Sequence, residues 1–516
     1  MNDFVTRFLD TAAERPGEVA VIDPDGRTTT FGALRRLALE AGAGLRAEGL
    51  EPGDGVLFAV RNSATAIGLF LGALQAGAVL VSADTAVGPE LVSARLRAYR
   101  PRWLLAESLF YTTSVVGPAR TFCRRRGWPV PDLRQPIGDR GIRHVHIGRR
   151  LPGVPRSALA LKDLLGRAPL AAPLAAPERD PDAPALIVFT SGTTERPKGV
   201  VHSLRSLTAA VTMLGGHLPF APGDVMHADG IMAGLPALLG GARLSLPKPS
   251  APPGRFARDL AERRVTHAYG VPVHLAEVFG VLPRWPGHVR HLVMGSAPAA
   301  PAVLRQALAA VPGGQVLSIY AMTEAIPLAV ARAEDKLAHI ERGLPGDLLG
   351  TPSPGVTARI AGDGELLVSA PSACLGYLGA PPLTELATGD LARLDADGRI
   401  VLTGRKKDML IRGAYNIYPG LYEPSIALLA GVREAALVGT PDPVTEDESV
   451  VLAVVADSDD VDPARLVRRL RKELPELIDA EAVPDRIVVL PELPRSGRSR
   501  KLDRGRLREL ITASRP

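Results

Sequence analysis

The sequence has little cysteine and few aromatic residues. Only two of its 516 residues are cysteines, Cys123 and Cys374, which excludes a disulfide framework and a cluster of metal-binding thiolates. The same scarcity favours a reducing compartment, so we expect a cytoplasmic protein. Phe, Trp and Tyr together make up 4% of the chain, too little for an open surface on which unpaired nucleic-acid bases stack.

Lysine is also scarce, since it supplies 8 of the 61 basic residues. The formal net charge of +6 is carried mostly by dispersed arginines, a pattern more typical of a solvated surface than of a nucleic-acid binding stripe. We therefore expect no nucleic-acid partner. A lysine that lies inside a motif of small residues is a candidate for a specific role.

One uncharged stretch, residues 64–83, is about as long as a membrane span. Gly68, Gly72 and Gly77 interrupt it, and its last residues have the β-branched character of a strand. The pattern favours a buried helix at residues 63–76 that turns at Gly77 into a buried strand. We expect no membrane span.

Strand and helix patterns alternate along the first part of the chain, beginning with a strand at Val19–Ile22 and a helix at residues 31–48. Alternation at this spacing predicts an α/β fold with parallel sheets. A more β-like region follows at residues 356–369, and a Gly/Asp-rich hairpin pattern follows at residues 388–403.

After residue 407 the pattern changes to short α+β elements. It predicts helices at residues 422–429 and 463–473, and strands at residues 435–438 and 450–455. The sequence therefore predicts two parts. A large N-terminal body of stacked α/β sheets with a β-barrel-like subdomain occupies residues 1–406, and a small α+β C-terminal domain occupies residues 407–516.

The strongest chemical signal is the stretch ALIVFTSGTTERPKG at residues 185–199, where a buried strand runs into a turn of small hydroxylated residues. Small residues let the backbone approach a polyphosphate and donate N–H and O–H groups to it, while Lys198 adds a positive charge. The spacing differs from the Walker pattern, and a flexible surface turn is the alternative for this stretch taken alone. The turn residues are Thr190, Ser191, Gly192, Thr193 and Thr194.

This stretch resembles the TSGTTGxPKG loop of the adenylate-forming superfamily, which comprises acyl- and aryl-CoA ligases, firefly-type luciferases and adenylation domains of peptide synthetases. The resemblance covers nearly the whole chain in the family's order. Residues 45–54 and 61–63 resemble its N-terminal segment. The later matches are YAMTE at residues 320–324, TGD at 388–390, GRKKD at 404–408, NIYP at 416–419 and KLDR at 501–504.

The resemblance implies that these residues serve the attack of a carboxylate on the α-phosphorus of ATP, a step that needs positioning and charge neutralisation. Lys501 would contact the carboxylate and the α-phosphate. Residues 190–194 and Lys198 would hold the β- and γ-phosphates. Thr323 would meet the α-phosphate and Glu324 would hold Mg²⁺, which prefers one or two carboxylates together with phosphate oxygens.

The resemblance also implies a nucleoside site and an acyl pocket. Asp390 would accept the ribose hydroxyls, Arg405 would donate to the sugar, and Tyr320 would stack against adenine. Further nucleotide contacts are predicted at Gly295, Ser296, Ala297 and Met322, and pocket residues at Asp229, Tyr269, Gly270, Val271 and Gly295. The pocket residues are mostly small and apolar with no fixed cation, so an alkyl or aryl acid fits better than a dicarboxylate.

The sequence departs from the family pattern in both predicted catalytic loops. Glu195 replaces a glycine of the phosphate loop, and a carboxylate there predicts weaker ATP binding. Arg500 stands before Lys501 where glycine is usual, so we expect that loop to differ in shape. Leu204 occupies the place of a histidine common in the family, and His202 lies two residues earlier.

Asp229 lies in the stretch HADGI, where CoA ligases usually have an aromatic residue followed by histidine. It resembles the aspartate that grips a substrate ammonium in peptide-synthetase domains. It also resembles the aspartate of β-lactone synthetases, which cyclise a β-hydroxy acid after adenylation. Residues 148–151, 323–330 and 423–424 resemble the lactone branch as well.

These features predict an ATP- and Mg²⁺-dependent ligase that adenylates a small-molecule carboxylic acid and transfers the acyl group to CoA. Capture by a β-hydroxyl of the substrate, or by the thiol of a carrier protein, stays open. The resemblance also implies that Lys407 is the hinge residue about which the C-terminal domain would swing between the two half-reactions. We expect a monomer or a homodimer. A non-catalytic adenylate-binding protein is the alternative from another class, but such a protein has no need of Lys501.

Overall fold

A computed structural model describes residues 2–82, 96, 98–125, 130–139, 141–167, 180–189, 198–249, 251–412, 415–441, 448–458, 460–497 and 500–513. The chain divides into two compact units. Unit 1 comprises Met1–Tyr269, Met322–Ile326 and Pro371–Thr384, and unit 2 comprises Gly270–Ala321, Pro327–Ala370 and Glu385–Pro516.

Unit 1 is built from alternating helices and strands. Its helices are α1 Phe4–Glu14, α2 Phe31–Ala47, α3 Ala64–Ala76, α4 Ser108–Val115, α5 Gly117–Arg125, α6 Arg134–Gly138, α7 Leu161–Leu165, α8 Leu204–His217, α9 Ile231–Leu239 and α10 Pro253–Glu262. Its strands are β1 Val19–Ile22, β2 Thr28–Thr30, β3 Gly55–Ala59, β4 Val79–Ser82, β5 Trp103–Glu107, β6 Arg143–Ile147, β7 Leu159–Ala160, β8 Pro184–Phe189, β9 Gly199–Ser203, β10 Val225–His227, β11 Arg243–Ser245, β12 His267–Gly270 and β19 Gly376–Tyr377.

The strands of unit 1 lie in two sheets. The first has the order β19-β9-β8-β4-β3-β5-β6-β7, in which the strands from β8 to β7 pair in parallel and β9 and β19 add antiparallel. In the second, β12, β10, β11 and β1 run parallel and β2 pairs antiparallel with β1. The predicted α/β class with parallel sheets is confirmed.

The uncharged stretch near residue 70 forms the predicted helix and strand. The Ser63 side chain accepts a hydrogen bond from the Ala66 amide at 3.1 Å and caps α3, and Gly77 ends the helix with a φ of 92°. Glycine adopts this left-handed conformation without a steric penalty. Nearly every residue of α3 is buried, so its apolar surface is covered by protein. None of the described helices combines the length and the apolar character needed to cross a membrane.

Unit 2 contains the remaining elements. Its helices are α11 Pro272–Val281, α12 Pro301–Ala310, α13 Ala333–Glu341, α14 Pro419–Ile426, α15 Pro463–Leu477 and α16 Arg504–Ala513, with 3-10 helices at Lys406–Asp408 and Ala480–Ala482. Its strands are β13 His291–Met294, β14 Gln315–Met322, β15 Ala325–Arg332, β16 Asp347–Pro352, β17 Thr357–Ile360, β18 Glu365–Ser369, β20 Leu386–Leu394, β21 Ile400–Arg405, β22 Leu410–Arg412, β23 Tyr415–Ile417, β24 Val432–Pro441, β25 Glu448–Ala456, β26 Arg486–Leu490, β27 Arg495–Ser496 and β28 Lys501–Leu502.

The main sheet of unit 2 has the strand order β13-β14-β15-β16-β21-β20-β18-β17. Strands β13 and β14 pair in parallel, and the pairings from β15 to β17 are antiparallel. The β-like region predicted at residues 356–369 contains β17 and β18, which pair antiparallel at the end of this sheet. The hairpin predicted at residues 388–403 is β20–β21.

The end of the chain has the predicted small α+β pattern. Strands β24, β25 and β26 form a three-stranded sheet, and Leu466, Leu470 and Leu474 of α15 belong to the same buried cluster as residues of this sheet. Helix α14 begins and ends three residues earlier than predicted, because Pro419 occupies its first turn, where a missing amide costs no hydrogen bond. The domain boundary at residue 407 stays a prediction.

Candidate active site

The predicted Thr323-Glu324 pair forms the turn between β14 and β15 in unit 1. Glu324 is only 9% exposed. Its Oε1 accepts a hydrogen bond from the Tyr377 hydroxyl at 3.0 Å, and its backbone carbonyl accepts one from the Cys374 amide at 2.8 Å. Residues 374–377 therefore fix both the backbone and the carboxylate of Glu324.

Tyr377 also contacts Lys198. The Lys198 Nζ lies 5.5 Å from the centre of the Tyr377 ring, within the range of a cation–π interaction. Strand β19 pairs antiparallel with β9, so Tyr377 faces Val200, and the Leu378 amide donates to the Gly199 carbonyl at 2.7 Å. Lys198, Tyr377 and Glu324 thus form one contiguous group in unit 1.

His202 supports the same turn from β9. Its Nε2 lies 2.8 Å from the Thr323 carbonyl oxygen and its Nδ1 lies 3.2 Å from the Ser206 Oγ. A carbonyl oxygen only accepts hydrogen bonds, which places a proton on Nε2. Burial lowers the pKa of His202, with opposing contributions from the Thr323 carbonyl and Glu324. A neutral ring with its proton on Nε2 satisfies the Thr323 contact and leaves Nδ1 as an acceptor facing the Ser206 hydroxyl, which also lies 3.1 Å from the Ser203 carbonyl oxygen.

Glu324 fits Mg²⁺ only as one ligand among several. The described part of the chain contains no group of three or more His, Cys, Asp or Glu side chains that could hold a metal ion by itself. Mg²⁺ bound with nucleotide needs no such group, since it takes one or two carboxylates and completes its shell with phosphate oxygens and water. The hydrogen bond from the Tyr377 hydroxyl engages Oε1, and an ionised carboxylate offers about four acceptor positions, so Glu324 can also serve a cation.

Asp390 is the centre of the predicted nucleoside site, which lies in unit 2. It is 6% exposed and faces Arg405 across the β20–β21 pair. The Arg405 Nε lies 2.8 Å from Oδ1, and the Tyr320 hydroxyl donates to Oδ2 at 2.6 Å. Burial and the Asp390 charge raise the pKa of Tyr320 well above its ordinary value, so the hydroxyl keeps its proton. Three residues of the YAMTE, TGD and GRKKD motifs are thus brought together.

The turn before Asp390 is held by its own hydrogen bonds. Gly389 has a φ of 72°, and its amide donates to the Glu365 Oε1 at 2.8 Å. The Asp390 amide donates to the Thr388 Oγ1 at 3.1 Å. The Lys406 Nζ pairs with the Glu365 carboxylate and lies 2.6 Å from the Asp363 Oδ2. These contacts fix the backbone on both sides of the Asp390 carboxylate.

Two of the predicted pocket residues meet in unit 2. The Gly295 amide donates to the Gly270 carbonyl at 3.4 Å, and Val271 precedes the first turn of α11. Ser296 follows β13 with a φ of 67°, an uncommon conformation for a residue other than glycine that often marks functional sites. Ala297 is the next residue in the same turn.

Asp229, another of the predicted pocket residues, lies in unit 1 and contacts Asn62. The Asn62 Nδ2 donates to the Asp229 Oδ1 at 2.6 Å, and Asp229 is exposed directly before α9. Tyr269 ends the first of the three segments of unit 1, and Met322 ends β14 before the Thr323-Glu324 turn. Asn62 lies in residues 61–63, which resemble the N-terminal segment of the family, but the sequence predicts no contact for it.

The residues predicted as the hinge and as the catalytic lysine both lie in unit 2. Lys407 is exposed in the 3-10 helix Lys406–Asp408. Lys501 is exposed on β28, where it pairs with Ser496. Arg500 has a φ of 48°, a value usual for glycine, and its Nη1 donates to the Glu277 Oε1 at 2.6 Å.

Residues Thr190, Ser191, Gly192, Thr193, Thr194 and Glu195 lie outside the described residues. Tyr377, which contacts both Glu324 and Lys198, is not among the residues that the sequence predicts for this site. Its only signal is its position, one of 8 tyrosines, in a Gly-Tyr-Leu-Gly stretch.

Comparison with known proteins places these features in one family. The AMP-binding enzyme family matches residues 8–378, and its C-terminal domain matches residues 422–501. A feruloyl-CoA synthase of Amycolatopsis sp is 28% identical over 94% of both chains, and a sulfoacetate–CoA ligase of Cupriavidus necator is 29% identical over 96% of this chain and 95% of its own. The structure of an amide bond synthetase from Marinactinospora thermotolerans superposes with a TM-score of 0.78 at 26% identity, over 98% of this chain and 99% of that one. The chain therefore belongs to the AMP-binding enzyme family of carboxylate-adenylating ligases.

Proposed function

We propose that the protein activates an alkyl or aryl carboxylic acid with ATP, forming acyl-AMP and pyrophosphate, and then transfers the acyl group to CoA. One observation carries this proposal. The sequence matches the AMP-binding family and contains all four of Lys198, Glu324, Asp390 and Lys501. A protein that only binds adenylates has no use for Lys501.

In this proposal residues 190–194 donate hydrogen bonds to the β- and γ-phosphates, and the ammonium of Lys198 neutralises part of their charge. Thr323 would contact the α-phosphate, and Glu324 would hold a Mg²⁺ ion, which when bound would offset the negative charge of the phosphates. The fixed turn around Thr323 supports these roles, because electrostatic stabilisation is strongest when the groups need not reorganise.

The nucleoside is held through Asp390. Tyr320 and Arg405 each donate to one of its oxygens, and a carboxylate has about four acceptor positions, so acceptor capacity is left for the ribose hydroxyls. Arg405 donates to the sugar and Tyr320 offers its ring to adenine. Met322 and the turn formed by Gly295, Ser296 and Ala297 complete the proposed nucleotide contacts.

The acid is bound by Asp229, Tyr269, Gly270, Val271 and Gly295 in this proposal. Residues 407–516 form a domain that turns about Lys407 and brings Lys501 to the reacting carboxylate. The relatives named above differ in acid, since one is a feruloyl-CoA synthase and another a sulfoacetate–CoA ligase. The small residues Gly270, Val271 and Gly295 favour an apolar acid over sulfoacetate or a dicarboxylate.

Acid-dependent exchange of labelled pyrophosphate into ATP tests the first half-reaction. A broad panel of alkyl and aryl acids is supplied with ATP and Mg²⁺. Lys501→Ala is expected to lower the exchange rate by about 100- to 1000-fold, the cost of losing one group that stabilises transition-state charge, while ATP binding stays nearly unchanged. Wild-type protein that exchanges with no acid of the panel overturns the enzymatic proposal.

The acceptor is tested by mass spectrometry of the products formed with CoA, with amines and with neither. Formation of an acyl-CoA supports CoA as the acceptor. Formation of an amide from the supplied amine would instead match the name of the Marinactinospora enzyme, an amide bond synthetase. A product lighter by one water from a β-hydroxy acid, formed without CoA, would show lactone formation instead. Acylation of a carrier-protein thiol in the absence of CoA would show the remaining alternative.

A further inference from the structure

We propose that Tyr377 is a positioning residue of the adenylation site. Its hydroxyl orients the carboxylate of Glu324 that serves the divalent cation, and its ring orients the ammonium of Lys198 that serves the phosphates. The inference rests on the proposed function and adds a residue that the sequence motifs do not include.

The hydroxyl contact restricts a flexible side chain. The 3.0 Å hydrogen bond from Tyr377 to Oε1 fixes which oxygen of Glu324 is engaged within the protein. A glutamate loses rotamer freedom when its side chain is ordered, and the hydrogen bond from Tyr377 orders this side chain before any ligand binds. Because Glu324 is 9% exposed, water competes little for this hydrogen bond.

The ring contact acts on Lys198. This side chain is exposed and has a flexible four-carbon stem, so its ammonium would otherwise sample many positions. The face of an aromatic ring attracts a cation within about 6 Å of its centre, and the observed distance is 5.5 Å. One aromatic residue thereby sets the position of one negative and one positive group.

The backbone holds Tyr377 in place from two sides. Leu378 donates to Gly199, next to Lys198, and Cys374 donates to the carbonyl of Glu324. The segment is thus hydrogen-bonded both to the strand that follows Lys198 and to the turn that carries Glu324. These two hydrogen bonds restrain the backbone from which the Tyr377 side chain extends.

Two binding measurements separate the two contacts. The affinity of the protein for ATP is measured with excess Mn²⁺ and again in EDTA without metal. Tyr377→Phe keeps the ring and removes the hydroxyl, so affinity for the metal–nucleotide is expected to fall about tenfold while metal-free affinity stays unchanged. Tyr377→Leu removes both contacts, so both affinities are expected to fall.

Tyr422→Phe is the matched control. The Tyr422 hydroxyl donates to the Asp479 Oδ2 at 2.7 Å, the same chemistry as at Tyr377 but within the predicted C-terminal domain. This variant is expected to leave both affinities unchanged. Retained metal-free binding by Tyr377→Phe also shows that the variant is folded, which separates misfolding from lost positioning.

A double-mutant cycle tests whether Tyr377 acts through Glu324. In a Glu324→Gln background, Tyr377→Phe is expected to change the affinity for the metal–nucleotide less than twofold, because the carboxylate that it orients is already gone. A full tenfold loss in that background, or an equal loss with and without metal, overturns the proposal. Neither affinity depends on turnover, so absence of acid-dependent exchange would overturn the proposed function and leave this test intact.

Discussion

Arg500 donates a hydrogen bond to Glu277 at 2.6 Å, which joins the residue beside Lys501 to helix α11. Arg500 adopts a φ of 48°, so the chain accepts a conformation unfavourable for a side chain at the position where the family usually has glycine. The departure noted in the sequence therefore has a structural counterpart. The contact restrains the β27–β28 hairpin that carries Lys501.

This contact predicts a small, salt-dependent effect on adenylation. Glu277→Gln is expected to lower acid-dependent pyrophosphate exchange about two- to threefold at low ionic strength, because exposed ion pairs are worth roughly 0.2–1 kcal/mol. The difference should vanish near 0.5 M NaCl, where such pairs are screened. Glu341→Gln is the control, since it removes a similarly exposed partner of Arg305 at 3.0 Å. A loss that persists at high salt would contradict this account.

Asp390 predicts how the enzyme recognises ribose. Asp390→Asn is expected to reduce the preference for ATP over 2′-deoxyATP, measured as the ratio of kcat/KM values, by about tenfold, because hydrogen bonds to charged groups are worth roughly 1.5–3 kcal/mol. Asp395→Asn is the matched control, because Asp395 lies 2.8 Å from Arg399 beside the same β20–β21 hairpin. An unchanged ratio in Asp390→Asn would place the ribose elsewhere.

The sequence predicts those elements whose signals are local. The Ser63 cap, the apolar α3 and the Gly77 stop lie within fifteen residues, and each contributes a recognisable signal. The motifs containing Tyr320, Asp390 and Arg405 were also recognised, but their mutual contacts were not.

Long-range contacts escape sequence reasoning for a physical reason. Tyr377 and Glu324 are 53 residues apart, and their meeting depends on the pairing of β19 with β9. Such pairing is set by the register of whole strands, and no periodicity within either segment encodes it. The start of α14 differs from the predicted residue 422 for a local reason, since Pro419 is well suited to the first turn of a helix.

Buried histidines predict loss of stability in mild acid. Burial lowers the pKa of His144, partly offset by Asp139, and burial lowers the pKa of His146 together with the charge of Arg150. Below the ordinary pKa of about 6.5, the unfolded chain binds protons that the folded chain excludes. The stabilisation that these two neutral histidines give the folded protein is therefore fully present above that pH. It is lost as the pH falls towards their lowered pKa values in the folded protein.

Thermal unfolding between pH 7 and pH 5 measures this effect. The midpoint is expected to fall over this range. In His144→Gln it should fall less steeply, because one group that takes up a proton only on unfolding has been removed. The amide can still accept from the Tyr111 hydroxyl, which lies 3.3 Å from Nδ1 in the native protein. A steeper fall in the variant would contradict the assignment.

Lys336 and Asp347 form a buried ion pair, whose disruption is expected to destabilise the protein. Lys336 is 1% exposed, and its Nζ contacts the Asp347 carboxylate and lies 2.9 Å from the Leu348 carbonyl. Lys336→Met leaves Asp347 without its cation, so the free energy of unfolding is expected to fall by about 3–5 kcal/mol. The double variant Lys336→Met/Asp347→Leu should recover most of that loss, because a buried ion pair is often no more stabilising than apolar side chains of similar volume. Denaturant unfolding of the three proteins gives the comparison, and a double variant as unstable as Lys336→Met would show that the ion pair itself stabilises unit 2.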